Sequence, residues 1–320
     1  MNYSFESISD IIKVLHEYKS SQRKRKYGAK LIVKNNDLER LLRCLEPLEK
    51  LDALIGMDSI KKSVIDQILF YAQKLNTSEM MHVCLTGPPG VGKTTLINVL
   101  AEIYSSLGFL ENGEVKFATR DSLIGGYLGQ TAIKTKKVLK EALGCTLVID
   151  EIYSLGVSKE DSDTYAHECV NTINQFLSEN KENILVIVAG YKEHVQNYFF
   201  SMNPGLERRF PWRYEMKEYT PSELNKIFQY QVEKDGWEFS EDINFMEIEK
   251  IFSIKDYFKN NGGSTEHLKD RCKIVHARRV FGKSKKYKKI LTIEDIKLAF
   301  EQIKVVTEIK KDTVPYGMYV

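Results

Sequence analysis

Between residues 50 and 218 the chain alternates short apolar segments with stretches of helical periodicity. In the clearest helical stretch, Leu96, Leu100 and Ile103 fall on one face, and Gly108 stands where a helix stop is expected. The strand-like segments are residues 81–86, 115–119, 146–150, 184–189 and 212–216. This alternation predicts an α/β domain with a parallel five-stranded sheet that is flanked by helices.

The pattern changes at Thr220. Residues 220–223 read Thr-Pro-Ser-Glu, a capping box with proline at the first helical position, and helical periodicity continues to about Val306 without a strong strand. The sequence therefore predicts four parts: a basic helical N-terminal extension without a clear core (1–48), the α/β domain (49–218), a small all-helical domain (219–310) and a tail (311–320).

Composition narrows the class of protein. A chain of 320 residues with 42% hydrophobic and 28% charged residues is ordinary for a globular protein, which argues against disorder and against a small disulfide scaffold. Five cysteines without a C-x-x-C pair indicate reduced thiols in a cytoplasmic compartment. The apolar run 184–191 is too short to span a bilayer, so we expect no membrane partner.

His267 and His276 are expected on a helix surface rather than at a metal.

Two basic runs stand out against a net charge of +3. Residues 23–26 read Arg-Lys-Arg-Lys, and residues 283–289 contain five lysines around Tyr287. Such runs can bind nucleic acid through its phosphates, but short ones are also typical of solvated loops. Both interpretations stay open.

The strongest motif lies between the first strand and the first helix of the α/β domain. Residues 87–94 fit G-x-x-x-x-G-K-[ST], in which backbone N–H groups and a helix N-terminus surround a phosphate. Lys93 is expected to reach the β- and γ-phosphates and Thr94 to bind Mg²⁺. The alternative is a glycine-rich turn that caps a helix. The predicted nucleotide-binding residues here are Gly87, Pro88, Pro89, Gly90, Val91, Gly92, Lys93, Thr94 and Thr95.

A second motif follows the third strand, which ends in Asp150 and Glu151. We expect Asp150 to hold magnesium, a hard cation that prefers oxygen ligands, and Glu151 to polarise the attacking water. An exposed acidic strand end is the alternative. The chain has no N-K-x-D segment for guanine, so ATP with Mg²⁺ is the predicted ligand.

Together these motifs resemble the AAA+ ATPases of the CbxX/CfqX type, which include red-type rubisco activase and relatives of stage V sporulation protein K. The resemblance covers about residues 50–310 and implies a P-loop NTPase fold with a helical lid. The stretch 262–281 resembles homologues of large DNA viruses, which would place the protein in a host cytoplasm or nucleus. Besides the two motifs, the resemblance is carried by residues 120–131, 188–191 and 203–210.

The resemblance implies further roles. It places Arg209 as the arginine that contacts the γ-phosphate of a neighbouring subunit in a homo-oligomeric, hexameric ring, with Arg208 where the family has serine. Tyr127 and Leu128 correspond to a pore loop that grips a protein substrate, and Ile55 and Gly56 to an adenine-contacting linker.

At the two positions where the family senses the nucleotide, the sequence leaves the role of the residues open. Tyr191 falls where the family has its first sensor, and it either orients water or packs. No arginine stands near residues 264–267, where the second sensor is expected; Arg271 lies one to two turns further on. The leading interpretation is an ATPase that remodels or threads a protein. The alternatives are a nucleic-acid-stimulated motor or loader, and a nucleotide-gated assembly module with little turnover.

Overall fold

A computed structural model describes residues 5–25, 35–76, 79–127, 129–155 and 164–312. These residues form two compact units. The first consists of the described residues up to Gly87 together with Lys93–Met216. The second consists of Pro88–Gly92 and the described residues from Lys217 onward.

Helices and strands occupy most of both units. The α-helices of the described residues are α1 (Ile8–Arg25), α2 (Asn36–Arg43), α3 (Leu45–Ala53), α4 (Asp58–Ala72), α5 (Lys93–Ser106), α6 (Arg120–Leu123), α7 (Gln130–Glu141), α8 (Thr164–Glu179), α9 (Lys192–Tyr198), α10 (Leu206–Arg209), α11 (Pro221–Lys234), α12 (Phe245–Phe252), α13 (Gly262–Arg279) and α14 (Ile293–Asp312). The strands are β1 (Val83–Thr86), β2 (Val115–Ala118), β3 (Thr146–Ile149), β4 (Leu185–Gly190), β5 (Trp212–Glu215), β6 (Glu238–Phe239) and β7 (Ile290–Leu291).

The first unit contains a five-stranded parallel sheet in the order β2-β3-β4-β1-β5, which confirms the predicted fold. Every residue of β1, β3 and β4 is buried, as expected for strands covered on both faces. Thr86 at the end of β1 pairs with Gly190, and Ile149 at the end of β3 pairs with Val188. The loops that follow these three strands therefore leave the sheet at the same edge.

Both faces of the sheet are packed by helices. On one face, α8 buries Val170, Ile173 and Leu177 in a cluster that also holds Leu147 of β3 and Val188 of β4. Near α4 and α5, two tyrosines share one acceptor. The hydroxyl groups of Tyr104 and Tyr214 donate to Oε1 of buried Gln67 at 2.5 and 2.7 Å. These hydrogen bonds join α4 and α5 to strand β5.

The N-terminal helices differ from the extension without a core that the sequence suggests. Ile11 and Leu15 of α1 and Leu48 of α3 are fully buried, and α3 packs against α5. Helix α2 packs against α4. The described part of this segment thus belongs to the first unit, because apolar residues recur at helical spacing in α1 and are buried. Residues 26–34 lie outside the described residues.

The second unit has an aromatic and aliphatic core that α11, α12, α13 and α14 share. Phe228, Phe252, Leu268 and Phe300 are buried in it. The helical region is observed as predicted, and the Thr220 capping box is present: the Glu223 carboxylate accepts from the Thr220 backbone N–H at 2.7 Å. The structure adds a parallel pair of two-residue strands, β6 and β7. Strands this short are below the length at which alternation is readable in a sequence.

His276 is buried, contrary to the expectation that it lies on a helix surface. Its side chain is 2% exposed, lies edge-on to the Trp237 ring, and has Nδ1 3.1 Å from the Asp295 carboxylate. Arg279 donates to the same carboxylate at 2.8 and 2.9 Å. His276 is therefore a core histidine of the second unit, whereas His267 is exposed as predicted.

No helix among the described residues is both long enough and apolar enough to cross a bilayer.

We predict that His82 makes the first unit sensitive to acid. The residue precedes β1, is fully buried, and accepts a hydrogen bond from the Val186 backbone N–H at 3.2 Å. Burial lowers the pKa of His82 to about 3. Because the unfolded chain takes up this proton near pH 6.5 and the folded chain does not, stability falls as the pH drops from about 6.5 toward 3.

Between pH 7 and pH 5 this group should cost about 2 kcal/mol of unfolding free energy. His82→Asn keeps an acceptor for Val186 but does not titrate, so its urea unfolding curve should lose less stability over that interval. The exposed His267→Asn is the control. Equal losses in wild type and His82→Asn would contradict the prediction.

Candidate active site

The loop between β1 and α5 has the backbone conformation that its glycines allow. Gly90 and Gly92 have φ values of 72° and 87°, in the left-handed region that favours glycine. The Gly87 backbone N–H donates to the Gly190 carbonyl at 3.1 Å, which ties the start of the loop to β4. Helix α5 begins at Lys93, and its first turn has backbone N–H groups without partners inside the helix. This is a ready anion-binding site.

Lys93 lies at this edge of the sheet with two carboxylates. Its Nζ donates to the Gly87 carbonyl at 2.9 Å and lies 5.9 Å from the centre of the Tyr191 ring. Burial lowers the pKa of Lys93, and the charges of Asp150 and Glu151 oppose this shift. The structure thus brings together the predicted lysine, the two acidic residues and Tyr191.

Asp150 and Glu151 follow β3, and both are exposed. The Asp150 carboxylate accepts from the Glu151 backbone N–H at 2.8 Å. Glu151 has a φ of 48°, a left-handed conformation that costs a residue with a side chain on the order of 1–3 kcal/mol. Such strain persists where the surrounding structure imposes it, and it clusters at functional sites.

The oxygen donors near this edge suit magnesium. Thr94 and Thr95 are exposed on the first turn of α5, and Asp150 is exposed at the end of β3. A hydroxyl and a carboxylate are hard oxygen ligands, and Mg²⁺ is commonly held by one or two such groups and by water. The residues present therefore fit the predicted metal.

Within the second unit, the loop 88–92 is held by its carbonyl groups. Three consecutive carbonyls accept: Pro89 from Asn261 Nδ2 at 3.1 Å, Gly90 from the Gly262 N–H at 2.9 Å, and Val91 from the Tyr219 hydroxyl at 2.7 Å. A Cβ on Gly90 would come within 1.9 Å of the Asn260 carbonyl oxygen. Gly90 is therefore required by packing as well as by its φ value.

Asn261 is a site residue that the sequence analysis missed. Its side chain is 2% exposed, and Oδ1 accepts from the Tyr219 backbone N–H at 3.0 Å while Nδ2 donates to Pro89. Its φ of 48° and ψ of −120° lie outside the regions that residues with a side chain commonly adopt. The available sequence signal is the Asn-Asn-Gly-Gly run at residues 260–263, where helix α13 begins.

Arg209 lies on α10 and contacts α8. Its Nε and Nη2 donate to the Ser178 hydroxyl at 3.2 and 2.7 Å, and Nη1 donates to the Gly205 carbonyl at 3.0 Å. Arg208 is exposed. The role of Arg209 at a neighbouring site stays a prediction.

The remaining predicted residues lie in connections between elements. Tyr127, between α6 and α7, is 74% exposed. Leu128 lies outside the described residues. Ile55 and Gly56 lie in the turn between α3 and α4, where Gly56 and Met57 have φ values of 70° and 64°. Adenine contact by this turn stays a prediction.

Two family models match the chain. Residues 83–217 match the model described as "ATPase family associated with various cellular activities (AAA)". Residues 45–114 match the model of the P-loop domain of the Holliday junction DNA helicase RuvB. Both matches include the loop and α5.

Individual relatives match a larger part of the chain than either family model does. A cfxQ-like protein of Acanthamoeba polyphaga mimivirus is 39% identical over 272 residues, which are 83% of this chain and 66% of that protein. The chloroplastic ribulose bisphosphate carboxylase/oxygenase activase of Cyanidioschyzon merolae is 32% identical over 254 residues, which are 74% of this chain and 83% of that protein. The viral relative confirms the expected resemblance to homologues of large DNA viruses.

A solved structure shows the same fold. A RuvB variant from Thermotoga maritima superposes with a TM-score of 0.55 at 19% identity, over 79% of this chain and 71% of that chain. At this identity the match concerns the fold alone.

We predict that Asn261→Asp weakens nucleotide binding. The aspartate keeps an acceptor for Tyr219 but loses the donor to Pro89 and places a carboxylate against its carbonyl. Losing one hydrogen bond and leaving the partner unsatisfied costs about 1–3 kcal/mol, so the dissociation constant for a fluorescent ATP analogue should rise about tenfold. The exposed neighbour supplies the control, Asn260→Asp. Unchanged affinity and unchanged thermal unfolding in Asn261→Asp would refute this role.

The loop, the lysine and the paired acids occupy one edge of a parallel sheet, and the match to relatives extends well beyond that edge. The chain belongs to the AAA family of ATPases, among the proteins similar to CfxQ and rubisco activase, and it is an ATP hydrolase.

Proposed function

We propose that the protein couples the hydrolysis of Mg-ATP in a ring of identical subunits to the remodelling or threading of a protein substrate. The observation that carries the proposal is the convergence of Lys93, Asp150 and Glu151 at the edge where the phosphate loop leaves the sheet. In open parallel sheets, ligands bind at the carboxyl ends of the strands.

Each residue at this edge has a distinct task in the proposal. The backbone N–H groups at the start of α5 and the Lys93 ammonium stabilise the negative charge of the phosphates. Glu151 orients the attacking water and accepts its proton. Thr94 and Asp150 are the residues that would hold magnesium, which when bound neutralises charge on the phosphate oxygens.

A neighbouring subunit is proposed to supply Arg209. Its guanidinium is held by a serine hydroxyl and a backbone carbonyl, both of which are neutral, so its charge is not compensated within the described chain. An arginine supplied to the γ-phosphate by a partner is worth about 10³–10⁵ in rate. Hydrolysis in this proposal requires assembly, for which a hexamer is our working stoichiometry.

The proposed client is a protein. Tyr127 presents an exposed aromatic ring in a connection that contains Gly125, Gly126 and Gly129, and Gly129 has a φ of 78°. Such a segment can grip a side chain and shift with nucleotide state. The activase from Cyanidioschyzon merolae is, by its name, a protein that acts on another enzyme. For this chain we propose the same class of client, in the cytoplasm or nucleus of a host.

A second candidate is a nucleic-acid motor. The lysines of residues 283–289 are exposed, and part of the chain matches the RuvB P-loop model. Single-stranded or duplex DNA would then raise the ATPase rate, and raising the salt concentration would abolish the effect. A nucleotide-gated module with little turnover is the third candidate, because no arginine stands at residues 264–267, where the second sensor is expected.

We predict that Glu151→Gln separates binding from turnover. The amide cannot accept a proton, so kcat should fall at least about a hundredfold, while the phosphate loop and Lys93 are unchanged and nucleotide affinity is retained. Steady-state hydrolysis and titration with a fluorescent ATP analogue give the two quantities. Lys93→Ala is the contrasting variant and should lose binding. Normal turnover in Glu151→Gln would show that another group activates water.

Tyr127→Ala tests the protein client. Because the side chain is 74% exposed, the substitution should change stability by less than about 0.5 kcal/mol and the basal ATPase rate by less than about twofold. Clients that co-purify with Glu151→Gln, identified by mass spectrometry, supply the substrate for a remodelling assay. We expect Tyr127→Ala to abolish remodelling and the exposed Tyr230→Ala to preserve it. Full remodelling by Tyr127→Ala would remove the threading role.

A further inference from the structure

We propose that Ser178 is a positioning residue that holds the Arg209 guanidinium in the orientation needed at a neighbouring active site. The inference rests on the proposed function, in which Arg209 acts on the next subunit. Ser178 lies in the last turn of α8 and Arg209 at the end of α10, and the two helices are in contact.

The hydroxyl of Ser178 is oriented by its own helix. It donates its single hydrogen to the Asn174 carbonyl at 2.8 Å. A hydroxyl has one donor and two acceptor lone pairs, so the oxygen is left only as an acceptor. Both remaining interactions come from Arg209, through Nε at 3.2 Å and Nη2 at 2.7 Å.

Two donors on one acceptor fix the plane of the guanidinium. Nε and Nη2 lie on the same side of this planar group, and the third contact, from Nη1 to the Gly205 carbonyl at 3.0 Å, holds the adjacent corner. An arginine side chain loses rotamer entropy when it is ordered. Here the contacts that order the side chain all lie within one subunit.

The same contacts leave the charge available. Three of the five N–H groups of the guanidinium are used, and the two others have no partner among the described residues. Both acceptors are neutral. By contrast, Arg213 and Arg279 lie 3.5 and 2.8 Å from carboxylates of Glu207 and Asp295. Arg209 is thus ordered without being neutralised, as a group that must meet a phosphate requires.

Gly205 explains how the two helices come this close. A Cβ on Gly205 would lie 3.0 Å from Asn203 Oδ1 and 3.2 Å from both terminal atoms of the Asn174 side chain. Asn174 is also the residue whose backbone carbonyl orients the Ser178 hydroxyl. The start of α10 and the last turns of α8 therefore form one support for the Arg209 side chain.

The experiment compares Ser178→Ala, Ser178→Thr and Arg209→Ala by steady-state kinetics and by binding of ADP with aluminium fluoride, which mimics the transferred phosphoryl group. We expect Ser178→Ala to lower kcat about tenfold with an unchanged dissociation constant for ATP, because the residue does not touch its own phosphate loop. It should weaken the ADP–aluminium fluoride complex by a similar factor. Ser178→Thr restores the hydroxyl and should behave as wild type.

Arg209→Ala tests the action of Arg209 in trans separately from its positioning by Ser178. If it retains full kcat, the proposed action of Arg209 in trans fails, and this inference fails with it. If Arg209→Ala loses activity while Ser178→Ala keeps wild-type kcat and analogue binding, the positioning role alone is overturned. A Ser178→Ala defect that appears equally in ATP affinity, or that Ser178→Thr does not rescue, also overturns it. The exposed Arg208→Ala is the control and should match wild type.

Discussion

The active site depends on the parallel pairing of β4 with both β1 and β3. This register sets Thr86 beside Gly190 and Ile149 beside Val188, so the residues that follow the three strands emerge together. Lys93 can then lie near Asp150 and Glu151 although they are distant in sequence. Because side chains alternate between the two faces of a sheet and both faces are buried here, a shift of one residue in either pairing would exchange the side chains that pack on the two faces.

Much of this arrangement could be predicted because its determinants are local. The apolar run from Leu185 to Ala189 is long enough to identify a strand buried on both faces, and the loop from Gly87 to Thr94 has a spacing imposed by its ligand. The two acids stand directly after a strand, so their place at the sheet edge follows from the fold class. The five-stranded parallel sheet and the ATPase family are confirmed on this basis.

What could not be predicted depends on polar contacts between distant residues. Asn261 binds a carbonyl 172 positions earlier in the chain, and no periodicity in the sequence encodes that pairing. His276 is buried because Asp295 and Trp237 surround it, although its own helix reads as polar. The hydroxyl that holds Arg209 belongs to a serine that looks like an ordinary helix residue. Each of these polar groups is tolerated where it lies because a partner satisfies it.

Glu151 and Arg209 differ in how the structure holds them. Glu151 keeps an unfavourable left-handed backbone at the point where a water would be activated, whereas Arg209 is held by neutral acceptors that leave its charge for a ligand. In the proposed function, catalysis is therefore a property of an assembly rather than of one subunit.

Specific ATPase activity measured across protein concentrations, from below to above the onset of assembly by light scattering, tests this most directly. If Arg209 acts on a neighbouring subunit, the rate per subunit rises with concentration and reaches a plateau when assembly is complete. A rate per subunit that is constant across the whole range would contradict it.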